Sequence, residues 1–257
     1  MALLCADIGN SHTTLGVIDD GDVLDHWRVA TDERRTADEW AVLLDGLLSG
    51  SVVGDRVSGV AVCATVPAVL HEWRDMLVRH YGDLPRVIVE PGVRTGVPVL
   101  MDNPREVGAD RVVNALAAAR LYDGPAIVVD FGTATTFDVV TKKGEYVGGV
   151  ICPGVGISAD ALFQRAARLP RVDIRRPDRV IGRSTVGSIQ AGLYFGYAEM
   201  VQGIIGRIQA ELDEPARVVA TGGLAGSLAA DIPAIEAVDP TLTLTGLRLI
   251  WERNRTR

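Results

Sequence analysis

Residues Ala126–Phe137 (AIVVDFGTATTF) decide how the rest of the chain is interpreted. An apolar run ends at Asp130, and Gly132 and three threonines follow before the sequence becomes apolar again. This order predicts a buried strand, a tight turn and a second strand. Glycine lets backbone N–H groups approach an anion, and neighbouring hydroxyls donate hydrogen bonds to it. The stretch therefore predicts a phosphate-binding turn that also presents one carboxylate.

The same pattern occurs near the start of the chain. In Leu3–Leu15 (LLCADIGNSHTTL) an apolar run ends at Asp7, and Gly9 and several hydroxyl residues follow. Asp7 and Asp130 thus each open one half of the 257-residue chain. A repeated turn of this kind predicts two related domains that face one another across a nucleotide.

Each half continues with a further hairpin signal, at Asp20–Gly21 in the first half and at Lys143–Gly144 in the second. Three strands in a row, followed by alternating helical and strand patterns, predict an α/β domain that begins with a three-strand meander. We expect residues 1–122 to form the N-terminal domain and residues 123–257 to form the C-terminal domain.

Composition and charge exclude several classes of function. With 47% hydrophobic and 23% charged residues, the chain has the composition of a folded globular protein. The net charge of -7 argues against a nucleic-acid partner, which would require a basic patch. The three cysteines lack metal-ligand spacing, which favours buried thiols in a reducing compartment. No apolar run is long enough to span a membrane, and the first residues lack the pattern of a secretion signal. We expect a cytoplasmic protein with no membrane partner.

Two helical stretches carry further signals. Asp110 and Arg111 fall in the first turn of a predicted helix, where the helix dipole favours an acidic residue and disfavours a basic one. By local rules alone this pair is a capping acid beside a surface arginine. The long helix predicted over 184–212 contains five glycines, each of which costs about 1 kcal/mol in a helix interior. They predict close helix contacts, either within the domain or between two subunits.

The two Asp-x-Gly turns and the late strand Arg217–Gly223, which ends in Thr-Gly-Gly, resemble the superfamily of actin, hexokinase and acetate kinase. This resemblance implies two ribonuclease-H-like domains, each opening with a three-strand meander. It further implies that the two turns hold the β- and γ-phosphates of ATP with their Mg²⁺, and that the Gly-Gly segment packs on the adenosine. Carboxylates suit Mg²⁺ as hard oxygen ligands, often through water.

An ordered set of motifs along essentially the whole chain is similar to that of type III pantothenate kinases. The motifs are Asp7–Ser11, Gly108–Arg111, Asp130–Thr136, Gly148–Gly154 and Ser184–Gln190. The resemblance implies transfer of the γ-phosphoryl group of ATP to the primary hydroxyl of pantothenate, the first step of coenzyme A biosynthesis. It also implies a homodimer with the substrate site at the subunit interface.

The resemblance implies a role for each matching residue. Asp110 would be the general base that accepts the proton of the pantothenate hydroxyl, and Asp130 would hold a monovalent cation, K⁺ or NH₄⁺. ATP would be bound by Asp7, Ile8, Gly9, Asn10, Ser11, His12, Thr13, Thr14 and Thr133. Pantothenate would be contacted by Met101, Gly108, Ala109, Asp110, Arg111 and Thr185. Arg111 would face the carboxylate of pantothenate, which would explain a cation at the start of a helix.

Three positions depart from the family pattern. Ser11 replaces the usual threonine and keeps its hydroxyl, and Ser184 stands where asparagine often precedes the threonine. Met101 stands where many members carry a tyrosine that contacts the substrate.

Two other functions are also open from the sequence. One is a related kinase with another small acceptor, such as a carboxylate or a sugar. The other is a non-catalytic member that uses nucleotide or pantothenate as a signal. The joint presence of Asp7, Asp110 and Asp130 favours catalysis over sensing.

Overall fold

The computed structural model describes residues 2–82, 84–166 and 168–255. It is an α/β fold, and its contacts divide the chain into two compact units, Met1–Ala117 with Thr241–Arg257, and Ala118–Pro240. Each unit contains a mixed sheet of five strands in the described residues. In that part of the chain, no helix is both long and apolar enough to cross a membrane.

The first unit opens with the predicted meander, followed by two parallel strands. In spatial order the sheet reads β3-β2-β1-β4-β5, with the first three strands antiparallel and the last two parallel to β1. Its strands are β1 (Ala2–Ile8), β2 (His12–Asp19), β3 (Asp22–Ala30), β4 (Val57–Ala64) and β5 (Arg86–Ile88). Its first helices are α1 (Ala37–Ser49), α2 (Pro67–His80) and α3 (Ala109–Leu121), the last of which crosses the division between the units.

The second unit repeats this topology. Its sheet reads β10-β9-β6-β7-β8, with an antiparallel meander and two parallel strands beside β6. The strands are β6 (Ala126–Phe131), β7 (Ala134–Val140), β8 (Tyr146–Pro153), β9 (Arg217–Thr221) and β10 (Ala237–Val238). The helices are α4 (Val155–Arg165), α5 (Thr185–Glu211) and α6 (Ala225–Leu228). The predicted pair of meander domains is therefore confirmed.

One face of the first sheet forms a core with α1 and α2. Leu4 and Ile8 of β1 contribute to a buried cluster that includes Trp40 of α1 and Trp73 of α2. Helix α1 begins with a capping box, in which the side chains of Thr36 and Glu39 each accept a hydrogen bond from the other residue's backbone N–H group. The alternation of side chains along β1 leaves its other set facing the opposite side of the sheet.

That opposite face is covered by the last helix, α7 (Leu242–Asn254), which packs on β1, β2, β4 and β5. The approach is close because two glycines lie under the helix. A Cβ at Gly16 would lie 2.5 Å from Leu244, and one at Gly59 would lie 2.4 Å from Trp251. The predicted C-terminal domain 123–257 is corrected accordingly, because α7 buries its apolar face on the first sheet rather than on the second.

The contact between Gly59 and Trp251 yields a stability prediction. Gly59→Ala would place a methyl group in space that the indole occupies, so we expect a loss of about 1–3 kcal/mol in the free energy of unfolding. Urea denaturation measures it. The matched control is Gly46→Ala in α1, where a Cβ meets no atom of the described part of the chain within 4 Å and helix propensity should raise stability slightly. Equal effects of the two substitutions would contradict the packing argument.

Candidate active site

The first turn connects β1 to β2. Asp7 pairs with Thr14 across the two strands, and the three residues Gly9–Ser11 form the connection. The backbone N–H of Gly9 donates to the carbonyl of His12 over 3.1 Å, which closes the turn. Because paired residues in an antiparallel ladder point to the same face, the side chains of Asp7 and Thr14 lie side by side.

Thr31, just after β3, braces this turn from outside. Its hydroxyl donates to the carbonyl of Gly9 over 2.8 Å and lies 2.9 Å from the hydroxyl of the buried Thr13. Its backbone N–H donates to the carbonyl of Ser11 over 3.0 Å. The turn is thus fixed by three contacts to one residue, which sequence reasoning missed because Thr31 belongs to no recognisable motif.

The second turn has the same construction with one residue fewer. Asp130 pairs with Thr136, and the backbone N–H of Gly132 donates to the carbonyl of Ala134 over 3.0 Å. The two turns therefore share a carboxylate at the end of a strand, a glycine and a cross-strand threonine. The sequence repeat corresponds to a structural repeat.

Two more glycines crowd the second turn. Gly154, directly after β8, would place a Cβ 2.2 Å from the carbonyl oxygen of Thr133, to which its own N–H donates over 3.0 Å. Gly222, directly after β9, has φ +90°, and a Cβ there would lie 2.4 Å from Oδ1 of Asp130. Both the Gly-rich segment 148–156 and the Thr-Gly-Gly segment thus reach the turn, and only glycine fits at these two points.

Asp110 lies in the first turn of α3 with one carboxylate oxygen unused. Its Oδ1 is buried and accepts no hydrogen bond from the described residues. A Cβ at Gly108 would lie 2.5 Å from this oxygen, so a side chain there would displace the carboxylate. Burial raises the pKa of Asp110, whereas the backbone N–H and the charge of Arg111 lower it. The group is an acceptor with a vacant lone pair and increased basicity.

Asp7 and Asp110 are brought together within the first unit. Burial raises the pKa of Asp7 to about 7, and the charge of Asp110 adds to that increase. Cys63 lies opposite Asp7 on the parallel strand β4, and its thiol donates to Oδ1 of Asp7 over 3.3 Å. This hydrogen bond lowers the pKa of Asp7 and so offsets part of the increase. Cys63 is buried as expected, but its contact with a carboxylate was missed because parallel pairing across 56 residues leaves no local signal.

The remaining predicted residues are divided between the units. Met101 lies in the loop that leads to Gly108 and Asp110, in the first unit. Thr185 is the first residue of α5 in the second unit, where the side chain of Ser184 caps the helix by accepting from the backbone N–H of Gly187 over 3.1 Å. Each of these places is exposed or partly exposed, as a small-molecule contact requires.

A preformed metal site would require several ligating side chains close together. Among the described residues, no group of three or more His, Cys, Asp or Glu side chains could hold a metal ion by itself. Mg²⁺ is commonly bound by one or two carboxylates together with substrate phosphates, so single carboxylates at Asp7 and Asp130 fit a nucleotide-borne ion.

The raised pKa of Asp7 predicts a pH-dependent stability. Between its ordinary value of 3.8 and its folded value of about 7, the folded chain binds more protons than the unfolded chain, so stability falls as pH rises through this range. Asp7→Asn removes this titration. We expect its Tm to exceed that of the parent chain by about 4 °C or more at pH 8 and by much less at pH 4, measured by calorimetry. Asp55→Asn, which removes an exposed carboxylate of the same unit, is the control. An equal shift at both pH values would contradict the argument.

The chain is similar to proteins of one family along almost its whole length. The family model described as type III pantothenate kinase matches residues 3–207. A type III pantothenate kinase of Streptomyces avermitilis is 55% identical over 263 residues, covering 99% of this chain and 99% of that protein. One from a Nocardioides species is 57% identical over 258 residues, covering 99% of this chain and 100% of the relative.

Solved structures show the same fold at low identity. A ROK family glucokinase from Streptomyces griseus, in complex with glucose and AMPPNP, matches with a TM-score of 0.58 at 14% identity, covering 96% of this chain and 98% of that one. A ROK hexokinase from Thermus thermophilus matches with a TM-score of 0.54 at 16% identity, covering 97% and 98%. The predicted hexokinase-type fold is confirmed.

Proposed function

This chain belongs to the type III pantothenate kinase family, and we propose that it transfers the γ-phosphoryl group of ATP to the primary hydroxyl of pantothenate with Asp110 as the general base. The observation that carries the role of Asp110 is its buried Oδ1, which accepts no hydrogen bond from the described residues. Buried polar atoms are rarely left without a partner, so the vacancy is suited to an incoming hydroxyl. The product, 4′-phosphopantothenate, is the first intermediate of coenzyme A biosynthesis.

Asp110 would receive the proton of the alcohol as the oxygen–phosphorus bond forms. Burial raises its pKa and so its basicity, while the backbone N–H and the charge of Arg111 favour the ionised form that can accept the proton. Gly108 leaves the room that this position of the carboxylate needs. Such general-base assistance contributes about 10²–10⁴-fold to a rate. The remainder of the acceleration in phosphoryl transfer comes from positioning and charge neutralisation.

The donor nucleotide would be held by the two turns. In the first, the backbone of Gly9–His12 and the hydroxyls of Ser11, Thr13 and Thr14 are suited to phosphate oxygens. In the second, Thr133 is suited to the same task. Mg²⁺ bound with the nucleotide would neutralise phosphate charge, and Asp7 and Asp130 are the carboxylates that would hold it directly or through water. We further propose Asp130 as the ligand of the monovalent cation.

Pantothenate would be bound by the residues around the general base. Arg111 is suited to its carboxylate, since a guanidinium forms bidentate bonds with such groups. The other proposed contacts are Met101, Gly108, Ala109 and Thr185.

The second unit supports the proposal of a homodimer. Large apolar side chains are exposed on it at Ile151, Phe163 and Ile181, the last at 82%. Four glycines of α5 lie in open space, because a Cβ at any of them would meet no atom of the described residues within 4 Å: Gly192, Gly196, Gly203 and Gly206. Close packing within the second unit therefore does not explain why glycine occurs at these four positions. Exposed apolar surface and a smooth helix face are typical of an interface between subunits.

Asp110→Asn tests the catalytic role. The amide cannot accept the proton, so we expect the variant to fold, to bind ATP, and to lose turnover by at least about two orders of magnitude. Single-turnover kinetics with pantothenate and a separate ATP titration measure both properties. Asp102→Asn, an exposed carboxylate of the same unit, is the matched control. Near-normal turnover of Asp110→Asn would refute the assignment.

Gly196→Glu tests the homodimer. A Cβ at this position meets no atom of the described residues within 4 Å, so the fold of one protomer should persist. A charge in the helix face should convert a dimer to a monomer, as light scattering would measure. Gly46→Glu in α1 is the same substitution at an equally open helical glycine and should leave the assembly unchanged. A monomeric parent chain, or a dimer insensitive to Gly196→Glu, would overturn the proposal.

The decisive test of function is ADP release coupled to pantothenate, with and without K⁺. We expect release that depends on pantothenate and increases with K⁺, and Asp130→Asn should abolish the increase. A panel of other carboxylates and sugars as acceptors separates this activity from a related kinase. Binding of both ligands without turnover at saturating ATP, Mg²⁺ and K⁺ would indicate a non-catalytic sensor.

A further inference from the structure

The first phosphate turn has no positive charge of its own. The sequence contains no lysine or arginine before Arg28, and the turn itself contributes the carboxylate of Asp7. Backbone N–H groups and hydroxyls can bind phosphate oxygens, but they carry no net charge. A nucleoside triphosphate brings several negative charges, so a cation is expected near the turn.

Strand register places Arg28 at this turn. Asp7 pairs with Thr14, and Thr14 pairs with Arg28 on β3, so the three side chains stand in one row on the same face of the sheet. His12, two residues from Thr14, shares that face and pairs with Ala30. The Nη2 atom of Arg28 lies 2.9 Å from Nδ1 of His12. The guanidinium therefore leans along the sheet toward the residues that connect β1 to β2.

The contact between Arg28 and His12 fixes which nitrogen of His12 carries the proton and leaves the other N–H groups of Arg28 available. A guanidinium can only donate, so Nδ1 of His12 is the acceptor and the proton of the neutral ring lies on Nε2. Burial and the charge of Arg28 both lower the pKa of His12, which favours that neutral form. Within the described residues, Arg28 makes no ion pair with a carboxylate. Its other N–H groups are exposed with no acid to neutralise them.

We propose that Arg28 binds the phosphate chain of the nucleotide at the first turn and that His12 positions its guanidinium through Nδ1. The ligand class is a nucleoside di- or triphosphate. The inference rests on the proposed assignment of Asp7–Thr14 as a phosphate turn. It adds a residue from the neighbouring strand that no motif of the turn contains.

Nucleotide binding by the full chain tests the role of Arg28 without recourse to turnover. We expect Arg28→Gln to lower the affinity for ATP and ADP by about 10- to 100-fold, because a charged hydrogen bond to phosphate is lost. The affinity for adenosine should not change. Arg28→Lys should restore part of the affinity. The matched control is Arg79→Gln, an exposed arginine of α2 that pairs with Asp75 and should change nothing. Unchanged ATP affinity in Arg28→Gln, or equal loss for adenosine, would overturn the proposal.

The positioning role of His12 has its own readout. His12→Ala should lower the affinity for ATP several-fold in the parent chain. In the Arg28→Gln background it should lower the affinity hardly further, because both substitutions remove the same interaction. His12→Asn, which can still accept from the guanidinium, should recover most of the loss. Additive losses, or failure of His12→Asn to recover affinity, would exclude the positioning role. A chain that binds ATP yet does not phosphorylate pantothenate would refute the proposed function while leaving the Arg28 inference standing.

Discussion

Both units depend on glycines at points where the backbone lies too close to neighbouring groups for any side chain to fit. In the first unit, Gly16 and Gly59 let α7 lie directly on the sheet and bury Leu244 and Trp251. In the second, Gly154 and Gly222 let two further segments reach the Asp130 turn. Any side chain at these points would occupy space that is already filled. The same property that permits tight packing also brings the polar groups of the turns within reach of a ligand.

The carboxylates of the first unit add an electrostatic constraint. Burial and mutual repulsion raise the pKa of Asp7, so the folded chain bears a cost when both Asp7 and Asp110 are ionised. A bound cation would relieve this cost, and the thiol of Cys63 offsets part of it in the free protein. Functional sites commonly retain such unfavourable arrangements because the chemistry requires them. We interpret this region as less stable than its packing alone would allow.

The sequence was sufficient to predict the elements and their repetition. Apolar runs and glycine turns are local signals, so the two meanders and most helices follow from them. Contacts set by tertiary pairing could not be read in this way. Cys63 meets Asp7 only through the parallel register of β1 and β4, and Thr31 meets Gly9 only because β3 ends beside the turn. The burial of Asp110 likewise depends on neighbours that a helical pattern does not specify.

The return of α7 to the first sheet has a consequence for how the chain is made. The first unit is discontinuous, because residues 118–240 are inserted between its strands and its final helix. During synthesis the face that carries Gly16 and Gly59 stays uncovered until residues 242–254 leave the ribosome. At about 5–20 residues per second, that interval is on the order of ten seconds. The inserted unit can therefore complete its fold first. The first unit, although its Asp7 turn is synthesised earliest, is completed last.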